Sequence, residues 1–393
     1  MAKRAQRPAP QSDASDPRVV TIRSGVDKTV LAEMPILRPE RLERIAREWS
    51  YILRVRARWA SDPDLRDTVG ERACEALKDL GVPHERFADL AAGNQIEVEF
   101  HDWDPNDAQV SRIHEAAADV PWEYLISTAT RTEGRLESLL ITRLFRNGMS
   151  AVRPHPPANM LFVESAPGRI MGEFEFTDEE ERIRVAVNAT GNRKDRMFVL
   201  NTPELSELQK KAEQNWEAIH VTGVDTQQAA WLIEDFYETI EQDNPTLWQD
   251  ITSSGRLRDG MILREGREIE LPVPYDKLAT ALVGLKPAPR VVTLNLYYSG
   301  ARIARELVRL GAHSALGFLD EIDDELAELF FQAFYWAWCH PAPKPISVPD
   351  AFLGAWQKLR GDKLHGTSIV VWMGRSVFDP PARPARASRR RKR

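Results

Sequence analysis

The stretch Val291-Val292-Thr293-Leu294-Asn295-Leu296-Tyr297-Tyr298-Ser299-Gly300 begins as an apolar run and ends in a turn. A helical pattern follows over Ala301 to Leu310, stopped by Gly311, and a second apolar run covers Ser314–Leu319. Short apolar runs separated by helices mark buried parallel strands, because a parallel pair needs a crossover connection. The alternation extends outward. Apolar runs occur at Met160–Val163, Met197–Leu200, Ala218–Thr222 and Ser368–Met373, with helical patterns over Pro203 to Asn215 and Pro274 to Leu285. One hairpin-like element interrupts it, Gly260 to Pro272, turning near Glu265-Gly266. The pattern predicts an α/β fold with a mostly parallel sheet flanked by helices on both faces.

Upstream the pattern is mixed. Val19-Val20-Thr21-Ile22 and Gln95 to Phe100 read as strands. Pro39 to Arg58 reads as a long helix with Leu42, Ile45, Trp49, Ile52 and Leu53 on one stripe, and Pro39 suits its first position. Thr68 to Leu80 reads as another helix, closed by Gly81. Residues 18–157 therefore form an expected α+β N-terminal half and 158–378 the α/β half. Residues 225–257 stand out as an expected insertion, with a helical pattern from Thr226 to Ile240. Over Leu326 to Trp338 the aromatic residues surround most of a helix, so its burial in the core is expected. Residues 1–17 read as a disordered leader and 379–393 as a disordered basic tail ending in Arg389 to Arg393.

Composition bounds the function. The chain has 393 residues, 42% hydrophobic and 28% charged, with a net charge of −6. Such a chain buries a core without staples, and its mild acidity favours solubility without implying a nucleic-acid surface. Cys74 and Cys339 are the two cysteines. They supply neither a disulfide framework nor zinc-ligand spacing, and point to a reducing cytoplasm. No secretory signal or membrane-length apolar run is present. Phosphate-loop, dinucleotide, zincin and hydrolase-elbow motifs are missing, so neither a metal nor a cofactor is expected.

Several segments together resemble the CHAT family, of the clan that also holds caspases and separase. Pro121-Trp122-Glu123-Tyr124-Leu125 is similar to its "PWE-leucine" signature. Asp259 to Leu271 is similar to its hairpin and leads into a helix near Tyr275-Asp276. Val291 to Gly300 is similar to the strand and turn presenting the nucleophile, and 311–338 to the strand and helix that follow. The resemblance covers roughly residues 20–375 and implies a caspase-like α/β fold. It also implies that the nucleophile, a cysteine in the family, falls at Tyr297. The family base is the second histidine of a turn that reads His220-Val221-Thr222-Gly223-Val224-Asp225 here. The base position is therefore Val224, and Asp225 replaces the glycine after it.

A phenol titrates near 10 against about 8.5 for a thiol, so about 0.1% is ionised at neutral pH. Valine accepts no proton. Losing both groups removes the covalent route. His220 lies four residues before the base position, roughly 13 Å along a strand, beyond the ~3 Å that a base needs. It is expected to be satisfied by local backbone groups. Cys339-His340 reads as a structural pair. The resemblance then implies a catalytically inactive, pseudoprotease CHAT protein that binds or scaffolds a protein partner, in the setting of bacterial defence or stress. His220, Gly223, Asp225, Tyr298, Ser299 and Gly300 are the groove or binding residues it points to. Two other readings stand beside it. One is an active cysteine peptidase or divergent hydrolase with another constellation, for which Ser299, His313 and Asp225 are the groups to inspect. The other is a nucleic-acid partner held by the tail through counterion release.

Overall fold

The alternation of apolar runs and helices becomes one ten-stranded sheet in the computed structural model. It describes residues 18–25, 28–88, 90, 95–103, 107–129, 140–150, 154–170, 172–188, 195–254, 259–266, 269–283, 287–340, 345–359 and 368–379. The leader, and the tail beyond residue 379, lie outside the described residues. The strands are β1 (Arg18–Ser24), β2 (Thr29–Pro35), β3 (Gln95–Phe100), β4 (Leu140–Phe145), β5 (Met160–Ser165), β6 (Met197–Asn201), β7 (Ala218–Gly223), β8 (Gly260–Glu265), β9 (Ile269–Pro274), β10 (Val291–Asn295), β11 (Ser314–Phe318) and β12 (Ile369–Met373). The large sheet runs β2-β1-β3-β4-β12-β11-β10-β7-β5-β6, and β8 and β9 form a separate hairpin.

The strands β11, β10, β7, β5 and β6 are all parallel, with Val291 opposite Ala218 and Ala218 opposite Met160. β12 enters antiparallel to β11 and parallel to β4, and β1 pairs antiparallel with both β2 and β3. The fold is thus α/β with a mostly parallel sheet, as the alternation predicts. Successive side chains point to opposite faces, so two cores form. Val292, Leu294, Ile219, Val221 and Trp372 share one core with helices Pro39–Arg54, Tyr275–Val283 and Arg302–Arg309. Val291, Met160, Phe162, Leu316 and Val371 share the other with helices Thr177–Asn188, Asp324–Cys339 and Val348–Lys358.

The N-terminal half does not stand apart. β4, before the expected boundary at 157, pairs with β12, so one sheet runs through both halves. The elements missed in the sequence have identifiable reasons. β4 carries Arg143 in mid-sheet, which breaks an apolar run, but its guanidinium is fully buried against Glu123, at 2.8 Å on both prongs. The Trp-Glu of the signature segment therefore acts structurally. Trp122 Nε1 donates to Ala117 O at 2.9 Å, and Glu123 locks helix Trp122–Ala129 to β4. The helix expected over Pro39 to Arg58 ends at Arg54, where Val55 leaves helical geometry (φ −94, ψ 18). The pattern from Thr226 to Ile240 likewise splits into Thr226–Leu232 and Phe236–Asp243, because Ile233 is extended.

Candidate binding cleft

Tyr297 and Val224, the expected nucleophile and base positions, follow the carboxyl ends of β10 (Val291–Asn295) and β7 (Ala218–Gly223). A cleft of about 1080 Å³ opens there. Its walls come from helices Pro39–Arg54 and Ala108–Asp119 and from Gln227, Trp231 and Tyr237 of the expected insertion; Tyr298 and Arg302 follow β10. Ligand-facing loops gather at this end of parallel strands because crossovers leave a crevice there.

Tyr297, the expected nucleophile position, is half-buried, and its hydroxyl donates to Asp324 Oδ1 at 3.2 Å. Burial first, then the Asp324 charge, push its phenol above the ordinary range, so phenolate is scarcer than in a free tyrosine. Tyr298 adopts φ +57, a left-handed conformation uncommon for a non-glycine residue. Its hydroxyl accepts from Arg54 Nη2 at 2.7 Å and donates to Glu321 at 2.8 Å. Burial and that carboxylate raise its pKa as well.

Ser299 is fully buried. It donates to Leu296 O at 2.7 Å and accepts from Phe318 N at 3.2 Å. It is a turn-closing hydroxyl without an imidazole beside it, so its placement in the groove is corrected. Gly300 is buried too. A Cβ there would lie 2.6 Å from Val370 Cγ2 and 2.9 Å from the Phe318 carbonyl carbon, so only glycine lets the turn seat against β11 and β12. Gly223 has the same constraint, 2.5 Å from Ser165 O. Val224, the expected base position, is fully buried in a small core with Ile233, Phe236 and Ile262. Asp225 is 1% exposed and caps helix Thr226–Leu232, its Oδ1 accepting from Gln227 N and Gln228 N at 2.7 and 3.0 Å. Of the six proposed groove residues, Tyr298 lines the cleft; His220, Gly223, Asp225, Ser299 and Gly300 hold the structure around it.

His220 corrects a second expectation. Its partners are side chains, not local backbone. Nδ1 lies 2.7 Å from Thr293 Oγ1, Nε2 lies 2.9 Å from Glu179 Oε1, and Thr293 Oγ1 lies 2.5 Å from Tyr335 OH. With Nε2–H donating to Glu179, Nδ1 accepts from Thr293, and Thr293 accepts from Tyr335. A hydroxyl–imidazole–carboxylate chain is the grammar of a nucleophile relay. Here every member is buried, and Phe162 stacks on the imidazole at 5.0 Å with Phe331 at its edge, so no substrate reaches it. The chain ties helix Thr177–Asn188 and helix Asp324–Cys339 to β7 and β10.

No family model matches the chain. No curated protein matches it either. Among solved structures it is similar to chains of the Saccharomyces cerevisiae separase–securin complex, in crystal structures at 2.6 and 3.0 Å, each with 14% identity and a TM-score of 0.35. The similarity covers 67% and 65% of this chain, which spans 15% and 14% of theirs.

The remaining candidates lie away from the cleft. Cys339 is buried and its thiol is pushed up to about 12 by burial, and His340 stacks on Trp336 instead. His313 Nδ1 is 3.0 Å from Ser314 Oγ, but this pair sits at the amino end of β11, opposite the cleft, with Ser314 fully buried. Burial lowers His313 to about 4. Among the described residues no group of His, Cys, Asp and Glu is arranged to hold a metal, and no helix is long and apolar enough to cross a membrane.

Sequence reasoning missed the residues that give the cleft its floor. Arg302 lies beneath it, 6% exposed, with Nη1 2.9 Å from Asp259 Oδ2, Nη2 bonded to Asp119, and Glu115 Oε2 at 4.0 Å. Tyr275 donates to Glu115 at 3.2 Å. These residues come from four separated segments, so no spacing in the chain announces them.

Proposed function

We propose that the chain is a CHAT-like, caspase-fold protein without protease chemistry, which acts by binding a protein partner at the cleft. The observation that carries this reading is the pairing of a hindered phenol with an isopropyl group where the family's thiol and imidazole belong. Tyr297 is held by Asp324 and Val224 is sealed in a core. The hydroxyl–imidazole contacts among the described residues, Thr21–His101, Thr293–His220 and Ser314–His313, involve no cleft-lining side chain. What remains at the end of the sheet is a walled crevice suited to binding. The setting in bacterial defence comes from the family resemblance alone.

The test is direct. The purified full chain, incubated with unfolded casein and a mixed peptide library, should leave both intact by mass spectrometry. Cleavage that disappears in Cys339→Ser or His220→Ala would overturn the reading.

A further inference from the structure

The ten-stranded sheet ends in β2 on one side and in β6 on the other. An end strand exposes a row of unpaired N–H and C=O groups, and chains blunt such edges with charge, proline or bulges. β2 is blunted in all three ways. Glu33 pairs with Arg18 across the ladder, Pro35 closes the strand, and the register with β1 shifts at two places. β6 reads Met197-Phe198-Val199-Leu200-Asn201, with neither charge nor proline, and its register with β5 is unbroken.

The ladder fixes which groups of β6 face outward. Met160 N donates to Arg196 O at 2.8 Å, and Thr202 N donates to Glu164 O at 2.7 Å. In a parallel pair alternate residues bond the same neighbour, so Phe198 and Leu200 bond β5. Met197, Val199 and Asn201 turn their N–H and C=O outward. Met197 N is taken by Asp195 Oδ1 at 3.0 Å. Among the described residues no strand pairs with Val199 or Asn201 on that side. Phe198 stands beside them, 43% exposed, in spite of Lys211 over its ring and Trp216 at 6.0 Å.

Charge selects the partner strand. The chain enters β6 through Arg193-Lys194-Asp195-Arg196, and Asp195 is already paired with Arg184. Lys211, over Phe198, adds positive charge at the same end. The chain leaves towards Glu204 and Glu207, which share the single guanidinium of Arg264 at 3.1 and 2.8 Å. The strand is thus positive where it starts and negative where it ends. A second β6 laid antiparallel sets each start against the other's end, whereas a parallel copy would set like against like.

We infer that β6 pairs with β6 of a second copy of this chain, antiparallel about a two-fold axis at Val199, so that two sheets become one. The two Val199 residues exchange N–H···O bonds. Phe198 of one protomer lies opposite Leu200 of the other, and Met197 opposite Asn201. The contact is self-complementary and therefore closes at two chains. It does not depend on what the cleft binds.

Light scattering on the full chain at micromolar concentration should give twice the mass of one chain. Val199→Pro removes the central outward N–H and leaves the β5 ladder whole. It should give the mass of one chain, with the parent's circular dichroism. Phe198→Glu, at an exposed position, should weaken the dimer about tenfold or more, and keeps the test decisive where the proline variant fails to fold. Register is read by mild oxidation in a Cys74→Ser background. Val199→Cys should link two chains, and Asn201→Cys, whose two copies would sit roughly 13 Å apart, should not. A monomeric parent overturns the inference. So does a dimer that survives both Val199→Pro and Phe198→Glu, or a link through Asn201→Cys and not through Val199→Cys. Assembly that keeps growing with concentration also overturns it, because a two-fold contact cannot propagate.

Discussion

The carboxyl group of Asp225, after β7, has one committed oxygen and one idle one. Oδ1 caps a helix, while Oδ2 is buried without a partner. Burial, with the Asp259 charge adding to it, raises its pKa from 3.8 to about 7. The native state therefore keeps a proton that the unfolded chain releases near 3.8. Where the folded state binds more protons, stability falls as pH rises. The contribution is fully present below about 4 and is gone above about 7, with a span of about 4 kcal/mol. Asp225→Asn keeps the capping oxygen and removes the charge. Its urea midpoint should match the parent's near pH 4 and exceed it increasingly up to pH 8; a pH-independent difference would exclude this role. His220 teaches the same lesson about legibility. A histidine inside a strand reads as buried, but which groups satisfy it depends on Glu179 and Tyr335, residues far off in sequence that no local pattern connects to it.

Among the elements, helix Asp324–Cys339 shows where periodicity is decisive. Phe330, Phe331, Phe334, Tyr335 and Trp338 are all buried, while Trp336, on the remaining side, is 42% exposed. Its burial in the core was therefore readable from aromatic spacing. Strands β10, β11, β7 and β5 were readable for a related reason, since strands covered on both faces have near-continuous apolar runs. β4 was not, because a buried Arg143–Glu123 pair replaces apolar side chains at its centre, and a sequence shows the charge but not its neutralisation. Phe334→Ala should cost about 3–5 kcal/mol by opening a cavity. Trp336→Ala, which removes little more than a stack on His340, should cost under about 1 kcal/mol. Thermal or chemical denaturation of the two variants measures both. Similar losses would mean that the helix buries a different face.

At the scale of the whole molecule, the cleft exists because two halves that differ in sequence character share one sheet. The change in pattern near residue 158 was legible, but the pairing of β4 with β12 was not. It joins residues more than two hundred positions apart, and strand order leaves no local trace in the chain. The seam is well made. Trp372 of β12 sits 4.6 Å from Phe100 of β3, its Nε1 donates to Gly300 O at 2.6 Å, and the Arg143 guanidinium lies over its ring at 5.5 Å. One continuous core runs from Val19 to Trp372. Arg56 of the N-terminal half pairs at 2.8 Å with Asp320 of the other, both buried. Cutting here would expose apolar surface and orphan buried charges on both sides, each charge costing about 3–5 kcal/mol. The halves should therefore unfold together. Calorimetry of the full chain should give one transition, and residues 1–157 expressed alone should lack a cooperative transition and bind hydrophobic dye. Two well-separated transitions, or a 1–157 fragment that melts cooperatively, would mean that the halves are independent. The cleft walls from helices Pro39–Arg54 and Ala108–Asp119 would then be free to move away from those formed by Trp231, Tyr298 and Arg302, and the cleft would not be a preformed site.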